Sequence, residues 1–281
     1  MRIDAHHHVW RLERGDYAWL TPALPIYRDY GLQDLRPLLE AVGPAVPSPG
    51  ITATVLVQAA PTEAETHFLL QVARDSSSLV RGVVGWADFA AAAAPARIAA
   101  LAADPLLKGL RPMLHDIPDR EWILRPDVQP ALAEIAARDL AFDALIRPPH
   151  LPVLLELARR HPALRIVIDH GAKPDIAAGT LQPWAADIAR VAHETQAVCK
   201  LSGLVTEAAP DWRVTDLHPY VDHLLHVFGP QRLMWGSDWP VVDLAGGYPR
   251  WRDATLHLLR HLPDAARDAV LGGTAATVYR L

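Results

Sequence analysis

Ile3-Asp4-Ala5-His6-His7-His8-Val9-Trp10 begins as a short, apolar, β-rich run, Ile3–His8, that ends in three imidazoles. Seven further runs of the same kind follow: Ala53–Gln58, Val80–Trp86, Leu107–Arg111, Ala141–Ile146, Arg165–His170, Ala197–Leu201 and Leu233–Asp238. Each is apolar on both faces and bounded by Pro, Gly or Asp, the pattern of parallel strands covered on both sides. Amphipathic stretches lie between them: Leu32–Val42, Glu63–Arg74 with Phe68, Leu69 and Val72 on one face, Pro130–Arg138, Leu151–Arg160 with Val153, Leu154 and Leu157, Ala185–His193, Pro219–Phe228 and Trp251–Leu262. Strands alternating with helices predict an α/β protein, a (β/α)8 TIM barrel built as a single domain over residues 1–281, with an open doubly wound sheet as the alternative.

Two segments depart from the period. The stretch from Trp10 to Gly50 is too long for one helix, and Trp19-Leu20-Thr21-Pro22 and Tyr27-Arg28-Asp29-Tyr30 predict a loop folded over the barrel mouth. The tail from Leu271 reads as a glycine helix stop, a Thr274 cap and a final short helix.

Composition narrows the function classes. The chain has 281 residues, 51% hydrophobic and 21% charged, with a formal net charge of −5 and no basic block, which argues against a nucleic acid or an anionic membrane as partner. Asp4 and the histidines interrupt any signal-peptide pattern, and no stretch reaches the length of a membrane span. The single cysteine, Cys199, precludes an intramolecular disulfide and sits in an apolar run, as a buried structural thiol does. A cytoplasmic enzyme is the expectation.

Alternate residues of a strand share a face, so His6 and His8 point one way and His7 the other. In a parallel barrel the chemistry sits at the carboxyl ends of the strands. There this sequence carries His6 and His8, Gln58, Trp86, Arg111 with His115 beyond it, Asp143 and Arg147, Asp169-His170-Gly171, Lys200 and Ser202, and Asp238. Such polar groups at the ends of apolar runs cost free energy unless they are paired or used. Asp238 is the candidate general base, and His6, His8 and His170 can fix a water or hold a divalent metal. Arg111 is a permanent cation able to stabilise an oxyanion. Gln58, His115, Asp143 and Lys200, with the ring faces of Trp86, Trp10 and Trp239, suit a polyhydroxylated substrate such as a sugar. Trp184 and Trp251 read as core.

Asp4-Ala5-His6-His7-His8-Val9-Trp10, Lys108-Gly109-Leu110-Arg111, Phe142-Asp143-Ala144-Leu145, Val167-Ile168-Asp169-His170-Gly171-Ala172-Lys173-Pro174, Cys199-Lys200-Leu201-Ser202-Gly203-Leu204-Val205-Thr206-Glu207 and Met234-Trp235-Gly236-Ser237-Asp238-Trp239-Pro240 together resemble the amidohydrolase superfamily, in particular its branch of sugar lactonases such as L-fuconolactonase and L-rhamnono-lactonase. The resemblance implies a distorted TIM barrel that hydrolyses a sugar (aldono) lactone, a 1,4- or 1,5-lactone of the L-fuconolactone type. Asp238 would act as base, with His6, His8 and His170 around the attacking water. Strand five ends with Asp143 where many superfamily members supply metal ligands. The expectation is therefore no required cofactor, with one adventitious Zn2+ at most, held by His6, His8, His170 and Asp238. Two rival readings are a metal-dependent decarboxylase of an aromatic or muconate-type acid, for which Arg111 and Arg147 offer a thin supply of cations, and a non-catalytic sugar-binding barrel.

Overall fold

In the computed structural model, which describes residues 1–40 and 50–281, the eight runs form parallel strands that pair in sequential order. They are β1 (Ile3–His7), β2 (Ala53–Val57), β3 (Val80–Gly85), β4 (Leu107–Leu110), β5 (Ala141–Ala144), β6 (Arg165–Ile168), β7 (Val198–Leu201) and β8 (Leu233–Trp235). All but β7 stop one to three residues before the end expected from sequence. Gln58, Arg111, His170 and Asp238, which end their runs, belong to the turns beyond the strands. His170 and Asp238 both adopt left-handed backbone, with φ of 54° and 59°, and such a residue cannot continue an extended ladder.

The sheet closes on itself through a seam between β1 and the segment after β8. The Asp238 N–H donates to the His6 carbonyl and the His8 N–H to the Trp239 carbonyl, both at 2.7 Å. Asp4 Oδ1 braces the seam by accepting the backbone N–H groups of Ser237 at 2.8 Å and His6 at 3.2 Å. A Cβ on Gly236 would stand 2.6 Å from His6 Cβ, so only glycine admits this approach. These bonds make a (β/α)8 TIM barrel of the sheet and exclude the open, doubly wound arrangement.

Ile3 and Ala5 of β1 join Val55, Val84, Val167 and Met234 in the apolar filling of the barrel. His6 and His8 also face inward, an inversion of parity that simple alternation does not allow. The register of β1 against β2 slips between Asp4 and His7, and this bulge re-aims the imidazoles into the barrel. His7 faces out, its Nε2 2.9 Å from Thr54 Oγ1.

Ten α-helices lie among the described residues: α1 (Leu32–Glu40), α2 (Glu63–Arg74), α3 (Ala94–Leu101), α4 (Gln129–Ala137), α5 (Leu151–Arg160), α6 (Trp184–Glu194), α7 (Val214–Phe228), α8 (Gly247–Leu258), α9 (Asp264–Asp268) and α10 (Thr274–Tyr279). The last two positions of the first expected helix, Ala41 and Val42, fall outside the described residues. Helix α2 buries Glu65, Thr66, Leu69, Leu70 and Ala73 rather than a Phe68–Val72 face. Thr62 caps it by accepting the Glu65 N–H, and the Glu65 carboxylate accepts the Ala59 and Ala60 N–H groups, which fixes the turn after β2. Helix α7 starts at Val214, five residues before the expected Pro219, which it carries in its interior. Thr274 caps nothing. It is the first residue of α10, and its hydroxyl donates to the Pro230 carbonyl at 3.2 Å.

Helix α10 covers the amino-terminal end of the barrel, where Ala275, Val278 and Tyr279 join the apolar filling and the helix packs on β1 and β8. The loop after β1 covers the opposite end. Trp10 and Tyr30 exchange backbone hydrogen bonds, Trp19 Nε1–H donates to the Ala59 carbonyl at 2.8 Å, and Tyr30 meets Trp239 edge-on at 5.3 Å. It therefore lies across the ends of β1, β2 and β8. Cys199 is buried, and burial pushes its thiol up, away from reactivity. Among the described residues no helix is long and apolar enough to cross a membrane.

Candidate active site

Three imidazoles and a carboxylate converge at the seam. Asp238 Oδ1 lies 3.3 Å from His8 Nε2, 3.6 Å from His6 Nε2 and 3.9 Å from His170 Nε2. His8, His170 and Asp238 keep 3–4% exposure, whereas His6 has none. The first three therefore form the part of the floor that a water or substrate can touch.

The second nitrogen of each ring fixes how it presents the first. His8 Nδ1 sits 2.8 Å from the Val57 carbonyl, which can only accept, so Nδ1 carries a proton and Nε2 faces Asp238. His170 Nδ1 lies 2.8 Å from Ser202 Oγ. His170 owes its position to the glycine that follows Ser202. Gly203 is left-handed, φ 58°, and a Cβ there would lie 2.4 Å from His170 Nδ1. Burial, opposed by Asp238 and Asp169, pulls His170 down to about 3. Burial and the neighbouring Lys200 hold His6 well below the usual imidazole value. Burial alone would raise the Asp238 carboxyl, but the three imidazoles hold it far below its ordinary range. Near neutral pH the site holds an ionised Asp238 beside neutral His6 and His170.

Beneath this floor runs a layer of buried charge. Arg111 Nη1 donates to Asp169 Oδ2 at 3.1 Å, and Nη2 donates to the Gln58 carbonyl. Gln58 Nε2 returns a bond to the Arg111 carbonyl at 2.8 Å. Lys200 Nζ lies 2.6 Å from Asp143 Oδ2, 3.1 Å from Asp169 Oδ1 and 3.2 Å from His6 Nδ1. Burial would raise the Asp169 carboxyl, but Lys200, His6 and Arg111 together hold it well below normal. Arg111 Nε–H is buried with no acceptor among the described residues. A substrate carbonyl oxygen would satisfy it.

The fold thus brings His6, His8, His170, Asp238 and Arg111 together, with Gln58 bracing Arg111. Trp86 and His115 stand half-buried at the rim. Thr66 Oγ1 holds the Trp86 backbone on both sides, and burial pulls His115 down to about 4. Five expected substrate contacts lie elsewhere, the first of them Gln58, which is fully buried against the Arg111 backbone. Asp143 and Lys200 are fully buried and paired with each other, so they reach the floor only through His6 and Asp169. Trp10 turns into the loop, where Nε1–H donates to the Arg28 carbonyl at 2.8 Å. Trp239 presents its ring to Tyr30. Sequence reasoning gave no role to Asp169, whose signal was its place beside His170, or to Asp4, two residues before His6. It also passed over Tyr279, whose hydroxyl donates to Asp143 Oδ2 at 2.6 Å.

The same donor set fits a zinc ion. His6, His8 and Asp238 are buried and offer ligand atoms mutually within 4.8 Å. A tetrahedral Zn2+ with bonds near 2.1 Å sets its ligand atoms about 3.4 Å apart, close to the separations around Asp238.

Comparison with known proteins finds relatives along the whole chain. The family model described as Amidohydrolase matches residues 3–281. The chain is similar to an L-fucono-1,5-lactonase of Burkholderia ambifaria, 47% identical over 285 residues that cover 100% of this chain and 96% of that one. It is 36% identical to an L-fucono-1,5-lactonase of Burkholderia multivorans, with the same coverage. The crystal structure of a B. multivorans amidohydrolase with bound Zn superposes with a TM-score of 0.90 at 37% identity, covering 100% of this chain and 99% of the other.

Proposed function

The chain belongs to the amidohydrolase family, and on that footing we propose that it hydrolyses a sugar lactone of the L-fucono-1,5-lactone type to the open aldonate. One observation carries the reading: the carboxylate of Asp238 and the nitrogens of His6, His8 and His170 converge on one point, beside a buried Arg111 N–H that lacks an acceptor.

The lactone carbonyl docks on Arg111 Nε–H, and its ring reaches the rim, where Trp86 offers a face and His115 a hydrogen-bonding nitrogen. A water sits against the imidazole nitrogens. Asp238 takes its proton as the oxygen attacks, and Arg111, fixed by Asp169 and Gln58, balances the oxyanion. Collapse expels the ring oxygen, which leaves with the proton returned by Asp238. A zinc ion held by His6, His8, His170 and Asp238 would act as a Lewis acid and lower the pKa of a bound water. A lactone ester is electrophilic enough for the carboxylate and fixed cation alone, so we hold the metal to be dispensable. The single buried thiol suits a reducing compartment, the cytoplasm.

A pH-indicator screen of aldono-1,4- and 1,5-lactones tests the reading. Acid release is expected from L-fucono-1,5-lactone and close stereochemical relatives, and exhaustive chelation is expected to leave the rate within about twofold. Release of CO2 from aromatic acids, with no turnover of any lactone, would favour the decarboxylase. That alternative has less support, because Arg111 is already engaged by Asp169 and Gln58 and Arg147 is exposed. Chelation that abolished turnover, with recovery on adding Zn2+, would remove the metal-free mechanism and leave the substrate assignment intact.

Gly203→Ala is a sharper probe of geometry. The new methyl group overlaps His170 Nδ1, and the left-handed backbone adds strain. A loss of tenfold or more in kcat/KM is expected, with a circular dichroism spectrum like that of the wild type. Wild-type kinetics would mean that the His170 ring position is not needed.

A further inference from the structure

Tyr279 belongs to α10, on the face of the barrel opposite the mouth, yet two intermediates connect it to the reacting histidine. Its hydroxyl donates to Asp143 Oδ2 at 2.6 Å. The same oxygen accepts from Lys200 Nζ at 2.6 Å, and Lys200 Nζ lies 3.2 Å from His6 Nδ1. His6 Nε2 faces Asp238. Every member of this chain is buried, so no solvent competes for the bonds.

The Lys200 ammonium has three donors and three neighbours: Asp143, Asp169 and His6. Where it sits depends on how strongly Asp143 pulls, and the Tyr279 hydroxyl occupies one of the lone pairs that would otherwise draw it down. Helix α10 is itself pinned to the barrel. Arg165 Nη1 donates to the Val278 carbonyl at 3.0 Å and Lys108 Nζ to the Arg280 carbonyl at 3.2 Å.

We propose that Tyr279 is a positioning residue for the reaction, and that through Asp143 and Lys200 it sets the placement of His6 against Asp238. This rests on the lactonase reading, and it makes the helix that plugs the bottom of the barrel part of the catalytic apparatus as well as of the core.

The test is Tyr279→Phe, which keeps the ring and its packing and removes only the hydroxyl. With L-fucono-1,5-lactone as substrate, kcat falls about tenfold while KM stays within twofold. Val278→Ala loosens the same helix without touching the network, so it is expected to lower the melting temperature and keep kcat. An Asp143→Asn background should abolish the effect of Tyr279→Phe, because the path runs through that carboxylate. A Tyr279→Phe enzyme with wild-type kcat, or a kcat loss that Val278→Ala reproduces, would overturn the proposal. The two claims separate cleanly, since a wild-type enzyme inert toward every aldonolactone refutes the lactonase reading, whereas an active wild type with an equally active Tyr279→Phe refutes only this one.

Discussion

Asp238→Asn is expected to lower kcat by about 10³, within the 10² to 10⁴ range of general acid–base catalysis, while KM changes little. The substitution is conservative in every other respect. The left-handed φ of 59° suits Asn as well as Asp. The backbone bond from residue 238 to the His6 carbonyl is independent of the side chain. The amide can keep the contact with His8, so what disappears is the capacity to take a proton. The pH profile of the wild type gives the companion result. Activity requires the Asp238 carboxylate, and that group is held far below the usual carboxyl range, with His170 down at about 3. Neither gains a proton as the pH falls from 8 to 5, so log(kcat/KM) should run level over that interval. An acid limb centred near 6.5, the ordinary imidazole value, would assign the base to a histidine instead. Near-wild-type turnover by Asp238→Asn would do the same.

Lys200→Met should be the most destabilising single change in the site. It leaves the Asp143 and Asp169 carboxylates without the cation they share, in a region with no access to solvent. Removing one partner of a buried ionic pair costs about 3–5 kcal/mol, which for a chain of this size lowers the melting temperature by roughly 10 °C. Activity falls too, because His6 loses a contact at Nδ1. Adding Asp143→Asn removes one of the stranded charges and should restore part of the melting temperature without restoring turnover. A Lys200→Met protein that melted within 2 °C of wild type would show that Arg111 and Tyr279 alone satisfy the two carboxylates.

The barrel was legible because each strand is covered on both sides, so its apolar run stands out between turn residues. The polar ends of those runs marked the site for the same reason: apolar packing alone does not call for His6, Arg111 or Asp238 there. What could not be read was depth. Asp143 and Lys200 occupy strand positions like those of the floor residues, but one layer lower, and only coordinates separate a group that touches substrate from one that supports it. Trp239 follows Asp238 in the chain, yet the seam turns its ring toward Tyr30. The slip in β1 has no signature in Asp4-Ala5-His6-His7, and the bond from Tyr279 to Asp143 spans 136 residues.

The seam has a consequence for how the enzyme comes into being. The groups that cradle the nucleophile come from the first and last strands, and pairings so distant in sequence carry a large loop-closure entropy and form late. A folding intermediate with the first seven strands docked would hold all three imidazoles and lack the base entirely. Catalytic competence therefore arrives in a single step, and regain of turnover during refolding reports the meeting of the first and last strands rather than the growth of secondary structure.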